Sequence, residues 1–302
     1  MLLAAALFVL GLVIGSFLNV VVYRLPLMIE REWLGDAAAY LQDGGAMGRV
    51  LGATTLRTAE LARHGERLAG ELADLPRMNL ARPRSRCGTC GTQLGWRENV
   101  PVMSWLLLRG KCASCGNPVS ARYPLVELLT GFLFAALAWR SGPTAATAVY
   151  CLAVSLLLAG AFIDLDTTLL PDNLTVPLVG LGLVAAWLHW TPLSLHDAAL
   201  GALFGYLSLW LVASAYRLLR GVQGMAEGDF KMLAGLGALF GWQALPSIIL
   251  LASAVGAAVG IYLIAVRGHQ REVPIPFGPY LAGGGLVALF FGARLSAMWP
   301  GL

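Results

Sequence analysis

Two long apolar runs of the chain are separated by the polar, glycine-broken stretch Gly224-Met225-Ala226-Glu227-Gly228-Asp229-Phe230-Lys231. An ionisable carboxylate at the edge of a membrane-sized apolar segment is energetically costly, so it indicates a functional site with a partner. The best partner in the sequence is Asp164, which also stands where an apolar run ends. Two adjacent carboxylates can share one proton, so that one acts as a base on water while the other polarises a carbonyl group. The pair Asp164 and Asp229 therefore predicts aspartic proteolysis.

The composition independently indicates a membrane protein. Of the 302 residues, 58% are hydrophobic and only 13% are charged, whereas soluble domains carry about 25% charged residues. The net charge is only +4, and the sequence contains no basic and aromatic module of the kind that binds nucleic acid. We therefore expect an all-α polytopic membrane protein without a nucleic-acid partner.

Hydropathy divides the chain into about eight transmembrane helices. The first, Met1 to Tyr23, has no positive n-region and no small-residue cleavage site, so we expect it to be retained as a span. Seven further predicted spans follow: 124–140, 144–163, 172–190, 197–217, 229–244, 246–266 and 277–298. The predicted domains are residues 1–25 (first transmembrane helix), 26–123 (cytoplasmic domain) and 124–302 (seven-helix membrane domain).

Basic residues in the short loops predict the orientation of these helices in the membrane. One face of the predicted bundle carries five of them and the other carries two: Arg217, Arg220, Lys231, Arg267 and Arg271 against Arg140 and Arg294. The face with more positive charge is expected in the cytoplasm. Asp164 and Asp229 then lie at the cytoplasmic face, together with the domain between the first two spans.

Within that domain, residues 55–72 read as a solvated helix with leucines along one side. Two Cys-x-x-Cys knuckles follow, Cys87 to Cys90 and Cys112 to Cys115. Four thiolates from two such turns close a tetrahedral site that suits Zn²⁺. Disulfides, which need an oxidising compartment, and an iron–sulfur site are the alternatives. Four-thiolate coordination leaves no open position for water, so the zinc would be structural, in a zinc-ribbon-like domain.

Other polar residues have separate predicted roles. Asp166 lies about 200° further round a helix than Asp164, so it cannot share the face of Asp164 if the helix continues, although it could still support the site through a loop. Asp172 is expected to be a first-turn carboxylate, and Lys231 either holds Asp229 ionised or reaches the lipid headgroups. The loop 274–279 contains three prolines, cannot be regular helix, and is expected to line the catalytic cavity.

Further motifs accompany the two aspartates and the cysteine pairs: Gly15-Ser16-Phe17-Leu18-Asn19-Val20, Arg24-Leu25-Pro26, Arg122-Tyr123-Pro124-Leu125-Val126-Glu127, Ile163-Asp164-Leu165-Asp166, Leu170-Pro171-Asp172 and Pro274-Ile275-Pro276-Phe277-Gly278-Pro279-Tyr280. Together they resemble the type IV prepilin peptidases, bacterial members of the Gly-x-Gly-Asp class of intramembrane aspartic peptidases. The resemblance covers nearly the whole chain except about residues 30–80. One position departs from it, because Ala226 replaces the first glycine of the signature. Alanine loses the freedom of glycine at positive φ, so we expect a different turn before Asp229 or reduced activity.

The resemblance implies a peptidase that removes the leader peptide of type IV prepilins or pseudopilins. Cleavage would follow a glycine, at the cytoplasmic face of the bacterial inner membrane. The resemblance also implies a second activity, N-methylation of the new terminal residue with S-adenosylmethionine, because the members that methylate carry such a cysteine domain. No glycine-rich loop in the sequence places the methyl donor. Whether the substrates build pili or a type II secretion apparatus is not encoded in these motifs.

Three alternative functions stay open at this stage. One is a peptidase that lacks methyltransferase activity, and another, with Ala226 as a sign of decay, is an inactive scaffold that holds prepilins. The third is a transporter whose paired carboxylates relay protons.

Overall fold

The computed structural model describes residues 1–52, 55–222, 224–267 and 275–296. Regular structure in these ranges is helical, and the only strand-like pairings within them are two isolated bridges, so the predicted all-α class is confirmed for this part of the chain. The α-helices in these ranges are α1 (Leu2–Gln42), α2 (Gly44–Leu51), α3 (Thr55–Asp74), α4 (Met103–Leu107), α5 (Arg122–Ser141), α6 (Ala145–Thr167), α7 (Asp172–Trp187), α8 (Leu195–Arg220), α9 (Glu227–Phe240), α10 (Leu245–Arg267) and α11 (Gly278–Ser296).

Contacts divide the chain into two units. One, which we call the insert unit, is Tyr23–Leu94, and the other, the membrane unit, comprises Met1–Val22 and Gly95–Leu302. The domain boundaries predicted at residues 25 and 123 stay predictions.

The insert unit is built on the second half of α1. This helix continues through Pro26 to Gln42 instead of ending near Tyr23. An interior proline removes one backbone donor and clashes with the preceding turn, but side chains on both sides of Pro26 bind the returning chain: Arg24 Nη1 donates to Asn79 O (3.0 Å) and Arg31 Nη1 to Pro76 O (2.9 Å). The predicted helix 55–72 is present as α3.

Not every predicted span is long enough to cross a bilayer alone. Five helices in the described residues have the length and composition to do so: α1, α5, α6, α8 and the segment Trp242–Val266 that contains α10. The other three predicted spans form α7, α9 and α11, of 16, 14 and 19 residues. At 1.5 Å per residue, α9 measures roughly 21 Å, less than the ~30 Å hydrocarbon core. The count of eight spans stays a prediction.

Within the membrane unit, successive helices from α5 to α11 are joined by connections of at most ten residues and pack as neighbours, α6 on α7, α8 on α9 and α10 on α11. They therefore alternate in direction. The last turns of α6, α8 and α10 and the first turns of α5, α7, α9 and α11 lie at one end of the unit, which we call the Asp164 end.

Helix α9 is the most enclosed element of this unit, and small residues let its neighbours come close. On α8, a Cβ atom placed on Gly205 would lie 2.6 Å from Leu233 O of α9. On α7, a Cβ atom on Gly182 would lie 2.6 Å from the carbonyl carbon of Ala238. Backbone therefore packs directly on backbone on two sides of α9, which fixes its position in the bundle.

This packing predicts the effect of single methyl groups. Gly205→Ala must push α8 away from α9, and overpacking of this kind costs about 1–3 kcal/mol. We expect the melting temperature of the detergent-solubilised protein to fall by several degrees. The matched control is Gly180→Ala on α7, where no heavy atom lies within 4 Å of the added methyl group. Equal melting temperatures for the two variants would contradict the packing described for α8 and α9.

Candidate active site

The structure brings Asp164 and Asp229 together. Asp164 lies in the last turn of α6 and Asp229 in the first turn of α9, so both stand at the Asp164 end. Both are buried, with 4% and 6% of their surface exposed, and they are close enough for the charge of Asp164 to act on Asp229. Two carboxylates that are distant in sequence thus lie near each other in the interior of the unit.

A backbone amide of α11 holds one of these carboxylates. The N–H of Gly278, the first residue of α11, donates to Asp164 Oδ2 at 2.8 Å. A Cβ atom on Gly278 would lie only 2.8 Å from the same oxygen, so the contact requires glycine. The sequence did not single out this residue, although its position between Pro276 and Pro279 in the proline-rich motif was a usable signal.

The proline-rich loop is described from Ile275 to Phe277 and is not helical there, whereas Gly278 and Pro279, which were predicted to belong to the loop, are the first two residues of α11. Pro274 and Arg271 lie outside the described residues. The loop was predicted to line the cavity of the paired carboxylates, and the contact of Gly278 with Asp164 places its end beside one of them.

Leu170 occupies the space between the helices that carry these groups. It is buried in the connection between α6 and α7. Its Cβ lies 2.6 Å from the position that a Cβ on Gly228 would take, and its side chain also approaches Gly160 and Gly278. A single apolar side chain therefore packs against α6, α9 and α11 next to the carboxylates.

The turn before Asp229 does not need the glycine that Ala226 replaces. Ala226 precedes the first turn of α9 with φ −82° and ψ 151°, an extended conformation that any residue adopts. The N–H of Asp229 donates to Ala226 O at 3.3 Å. The positive-φ freedom that alanine lacks is therefore not used at this position.

Two close ion pairs lie beside this site, and Lys231 Nζ also lies 3.9 Å from Glu227 Oε2. Asp166 accepts two hydrogen bonds from Arg122 Nη1 (2.7 and 2.8 Å), which agrees with the prediction that it faces away from Asp164. Lys231 Nζ donates to both carboxylate oxygens of Asp172 (2.7 and 2.8 Å), a partner that the sequence did not suggest. The first pair joins α5 to α6, and the second joins the first turns of α7 and α9.

The motif at residues 15–20 serves helix packing. Asn19 Nδ2 donates to Tyr123 O at 3.1 Å, and a Cβ on Gly15 would lie 2.6 Å from Glu127 Cα. The buried carboxylate of Glu127 accepts hydrogen bonds from the N–H of Val102 (2.7 Å) and from Ser16. This carboxylate thus joins α1, α5 and the segment before α4.

The two cysteine knuckles have the same backbone geometry. Cys87 N–H donates to Thr92 O (2.9 Å), and Cys112 N–H donates to Asn117 O (2.8 Å). Each turn closes on a glycine with positive φ, 70° at Gly91 and 72° at Gly116. These tight turns direct both thiols of each pair toward a common centre.

The four sulfur atoms form a cluster that could hold a metal ion. Those of Cys87, Cys90, Cys112 and Cys115 all lie within 4.8 Å of one another. A tetrahedral zinc site with Zn–S bonds of about 2.3 Å needs sulfur–sulfur distances of roughly 3.8 Å. The cluster therefore fits a four-thiolate site with little rearrangement. The fifth cysteine, Cys151, is buried in α6, as expected for a packing residue.

Comparison with known proteins identifies close relatives over almost the full length. Several of them, including the three that follow, carry the name prepilin leader peptidase/N-methyltransferase. The protein of Aeromonas hydrophila is 46% identical over 96% of this chain and 91% of its own length. Those of Burkholderia pseudomallei (strain 1026b) and Pseudomonas aeruginosa are 46% and 44% identical, over 94% and 95% of this chain and 84% and 90% of their own lengths. No solved structure matches significantly.

Family profiles divide the chain in two. Residues 9–141 match the bacterial peptidase A24 N-terminal domain, and residues 151–261 match the type IV leader peptidase family. The first match contains the cysteine knuckles, and the second contains Asp164 and Asp229. With relatives this similar over more than nine-tenths of its length, the chain belongs to the type IV leader peptidase family.

Proposed function

We propose that this protein is an intramembrane aspartic endopeptidase in which Asp164 and Asp229 are the catalytic residues. The observation that carries the proposal is the meeting of two buried carboxylates at one end of the helix bundle. The names of the relatives support type IV prepilins or pseudopilins as substrates. Cleavage then follows a glycine at the boundary between the leader and the hydrophobic helix of the substrate.

The two aspartates, Asp164 and Asp229, form a catalytic dyad that carries out the reaction by proton exchange. One carboxylate removes a proton from water, whose oxygen attacks the carbonyl carbon of the glycine, while the protonated partner donates to the carbonyl oxygen. The tetrahedral intermediate collapses as the carbon–nitrogen bond breaks, and a carboxylic acid of the dyad gives its proton to the leaving amine. The products are the leader carboxylate and a new amino terminus.

The surroundings of the dyad favour this chemistry. Gly278 N–H fixes one oxygen of Asp164, which leaves the other oxygen of that carboxylate for water or substrate. Leu170 fills the space between the helices, so bulk water is restricted and charge interactions are strong. The ordinary extended backbone at Ala226 removes the main argument for a decayed, non-catalytic scaffold.

We also propose that the new amino terminus is N-methylated with S-adenosylmethionine. The support is the second half of the name that the relatives share. No residue is assigned to the methyl donor. The proposed location is the bacterial inner membrane, with the Asp164 end in the cytoplasm, where the positive-inside rule places its basic loops.

The four-cysteine cluster is proposed to bind one structural zinc ion. Cys87, Cys90, Cys112 and Cys115 would hold it, and its role is to stabilise the loop-rich segment around the knuckles. A reducing cytoplasm, which the proposed orientation implies, favours metal binding over disulfide formation.

The dyad predicts the outcome of two isosteric substitutions. Asp164→Asn and Asp229→Asn keep the size of the side chain and remove the ionisable proton, so each should lower the rate of leader removal by about 10²- to 10⁴-fold or more. The measurement is cleavage of a purified prepilin by the protein in detergent, with mass spectrometry of the product to detect methylation.

A matched control for this experiment is Asp197→Asn. Asp197 lies in the first turn of α8, capped by Ser194, at the end of the unit opposite to Asp229. Its variant should cleave at a rate close to that of the unchanged protein. Full activity in either dyad variant would place the catalytic site elsewhere.

The ion pair between Lys231 and Asp172 predicts that swapping the two charges restores the cleavage rate lost in a single variant. Lys231 is two residues from Asp229, so its bond to α7 positions the first turn of α9. Asp172→Lys alone puts two ammonium groups together, and we expect a severalfold slower cleavage. The charge-swapped double variant, Asp172→Lys with Lys231→Asp, should recover most of that loss. If the double variant cleaves no faster than Asp172→Lys alone, the ion pair is not the way in which Lys231 affects cleavage.

The zinc proposal predicts metal content. Mass spectrometry of the purified protein should find about one zinc ion per chain, and Cys115→Ser should lose it because three thiolates bind zinc far more weakly than four. Cys151→Ser, outside the cluster, should keep it. Iron in place of zinc, or no metal together with two disulfides, would refute the proposal.

A further inference from the structure

Helix α4 and the segment before it expose large apolar side chains that the proposed reaction does not use. Met103, Leu106 and Leu107 occupy positions i, i+3 and i+4 and therefore share one face of α4. All three are exposed, Leu107 by 76%. Trp96 is exposed to the same degree, and the Arg97 guanidinium lies 5.2 Å from the centre of its ring.

The opposite face of α4 is fixed to the protein. Trp105 Nε1 donates to Val119 O at 3.0 Å, and the indole ring packs over Gly110. Val102, just before the helix, has φ 60° and ψ −50°, which is a strained conformation for a β-branched residue. Its N–H is held by Glu127 at 2.7 Å. These contacts hold α4 in place with its apolar face exposed.

The bond between Val102 and Glu127 also sets the depth of α4. Glu127 lies within α5, a helix long and apolar enough to cross a membrane. It is five residues beyond Arg122, the first residue of α5, which corresponds to roughly 7–8 Å along the helix axis. The headgroup layer on each side of a bilayer is about 5–8 Å thick. If α5 enters the membrane near Arg122, the start of α4 stands close to the boundary between headgroups and acyl chains.

The charges around α4 suit an anionic lipid surface. Between Gly95 and Ala121 the chain has three basic residues and one acidic residue, a net charge of +2. The basic side chains, Arg97, Arg109 and Lys111, are all exposed. Cations beside an apolar face with a tryptophan are typical of elements that lie in the membrane interface.

We propose that α4 and Trp96 form an interfacial anchor, with Met103, Leu106 and Leu107 inserted at the headgroup–acyl boundary of an anionic lipid leaflet. The anchor lies at the Asp164 end, because Arg122 at the start of α5 pairs with Asp166. It holds the second cysteine knuckle, which begins at Cys112, at the membrane surface. The proposal does not depend on the proposed peptidase reaction.

The test replaces Leu107 with the fluorescent amino acid Anap in the full-length protein, reconstituted into phosphatidylcholine–phosphatidylglycerol liposomes. Because the side chain is exposed, the change should not disturb folding. Two further sites calibrate the signal: Leu211→Anap on the exposed surface of the apolar helix α8, and Glu66→Anap on the charged, exposed face of α3. Lipids with a nitroxide on the acyl chain quench fluorophores in the bilayer, whereas iodide quenches those in water.

We expect Anap at position 107 to be quenched severalfold more by the nitroxide lipid than by iodide, as at position 211. Stronger quenching by iodide, as expected at position 66, would overturn the anchor. Protection from both quenchers would mean that protein covers this face, which also overturns it. With phosphatidylcholine alone, lipid quenching should decrease; an unchanged value would remove the role proposed for Arg97, Arg109 and Lys111.

Discussion

Direct backbone contact around α9 is the constraint on which the position of Asp229 depends. This helix has only 14 residues, and its enclosure by α7 and α8 comes from glycines that leave no room for a methyl group. A polypeptide in lipid gains little from moving apolar side chains between lipid and protein, so close van der Waals packing decides where a helix sits. A short helix held in this way can keep a carboxylate at a fixed depth, and Leu170 completes the enclosure at its first turn.

The polar groups beside α9 obey a second constraint, which is that each needs a partner at membrane depth. Asp164 has the amide of Gly278, Asp166 has Arg122, and Lys231 has Asp172. The sequence identified Asp164 and Asp229 as partners because both stand where apolar runs end. It also separated Asp166 from them, because helical periodicity puts it on another face. It did not identify Gly278 or the Lys231–Asp172 pair, because these contacts join segments whose spacing in the chain carries no information about their distance in space.

Apolar runs in the sequence do not by themselves fix the lengths of the helices, because tertiary packing also decides where a helix ends. Hydropathy predicted eight spans, a count that stays a prediction; α7 and α9 are shorter than the hydrocarbon core, and apolar runs report burial in protein as well as in lipid. The apolar run predicted a first helix that ends near Tyr23, but α1 continues to Gln42, where its side chains bind the returning chain. The backbone at Ala226, which replaces a glycine of the signature, is extended and accepts either residue, and the expected change of the turn or of the activity stays a prediction. The repeated Cys-x-x-Cys spacing was more reliable, since a knuckle is a local structure that few residues determine.

Helix α5 connects the paired carboxylates to the second cysteine knuckle. Near its start, Arg122 binds Asp166, two residues from Asp164 on α6. Five residues further on, Glu127 holds Val102 and with it the segment that leads through α4 to Cys112. Two polar contacts on one rigid helix therefore set the distance from the paired carboxylates to the second cysteine knuckle. If cleavage and methylation act in turn on the same amino terminus, a fixed distance limits how far that terminus must travel. A membrane-anchored α4 would keep the route along the bilayer surface, where the hydrophobic helix of the substrate already holds it.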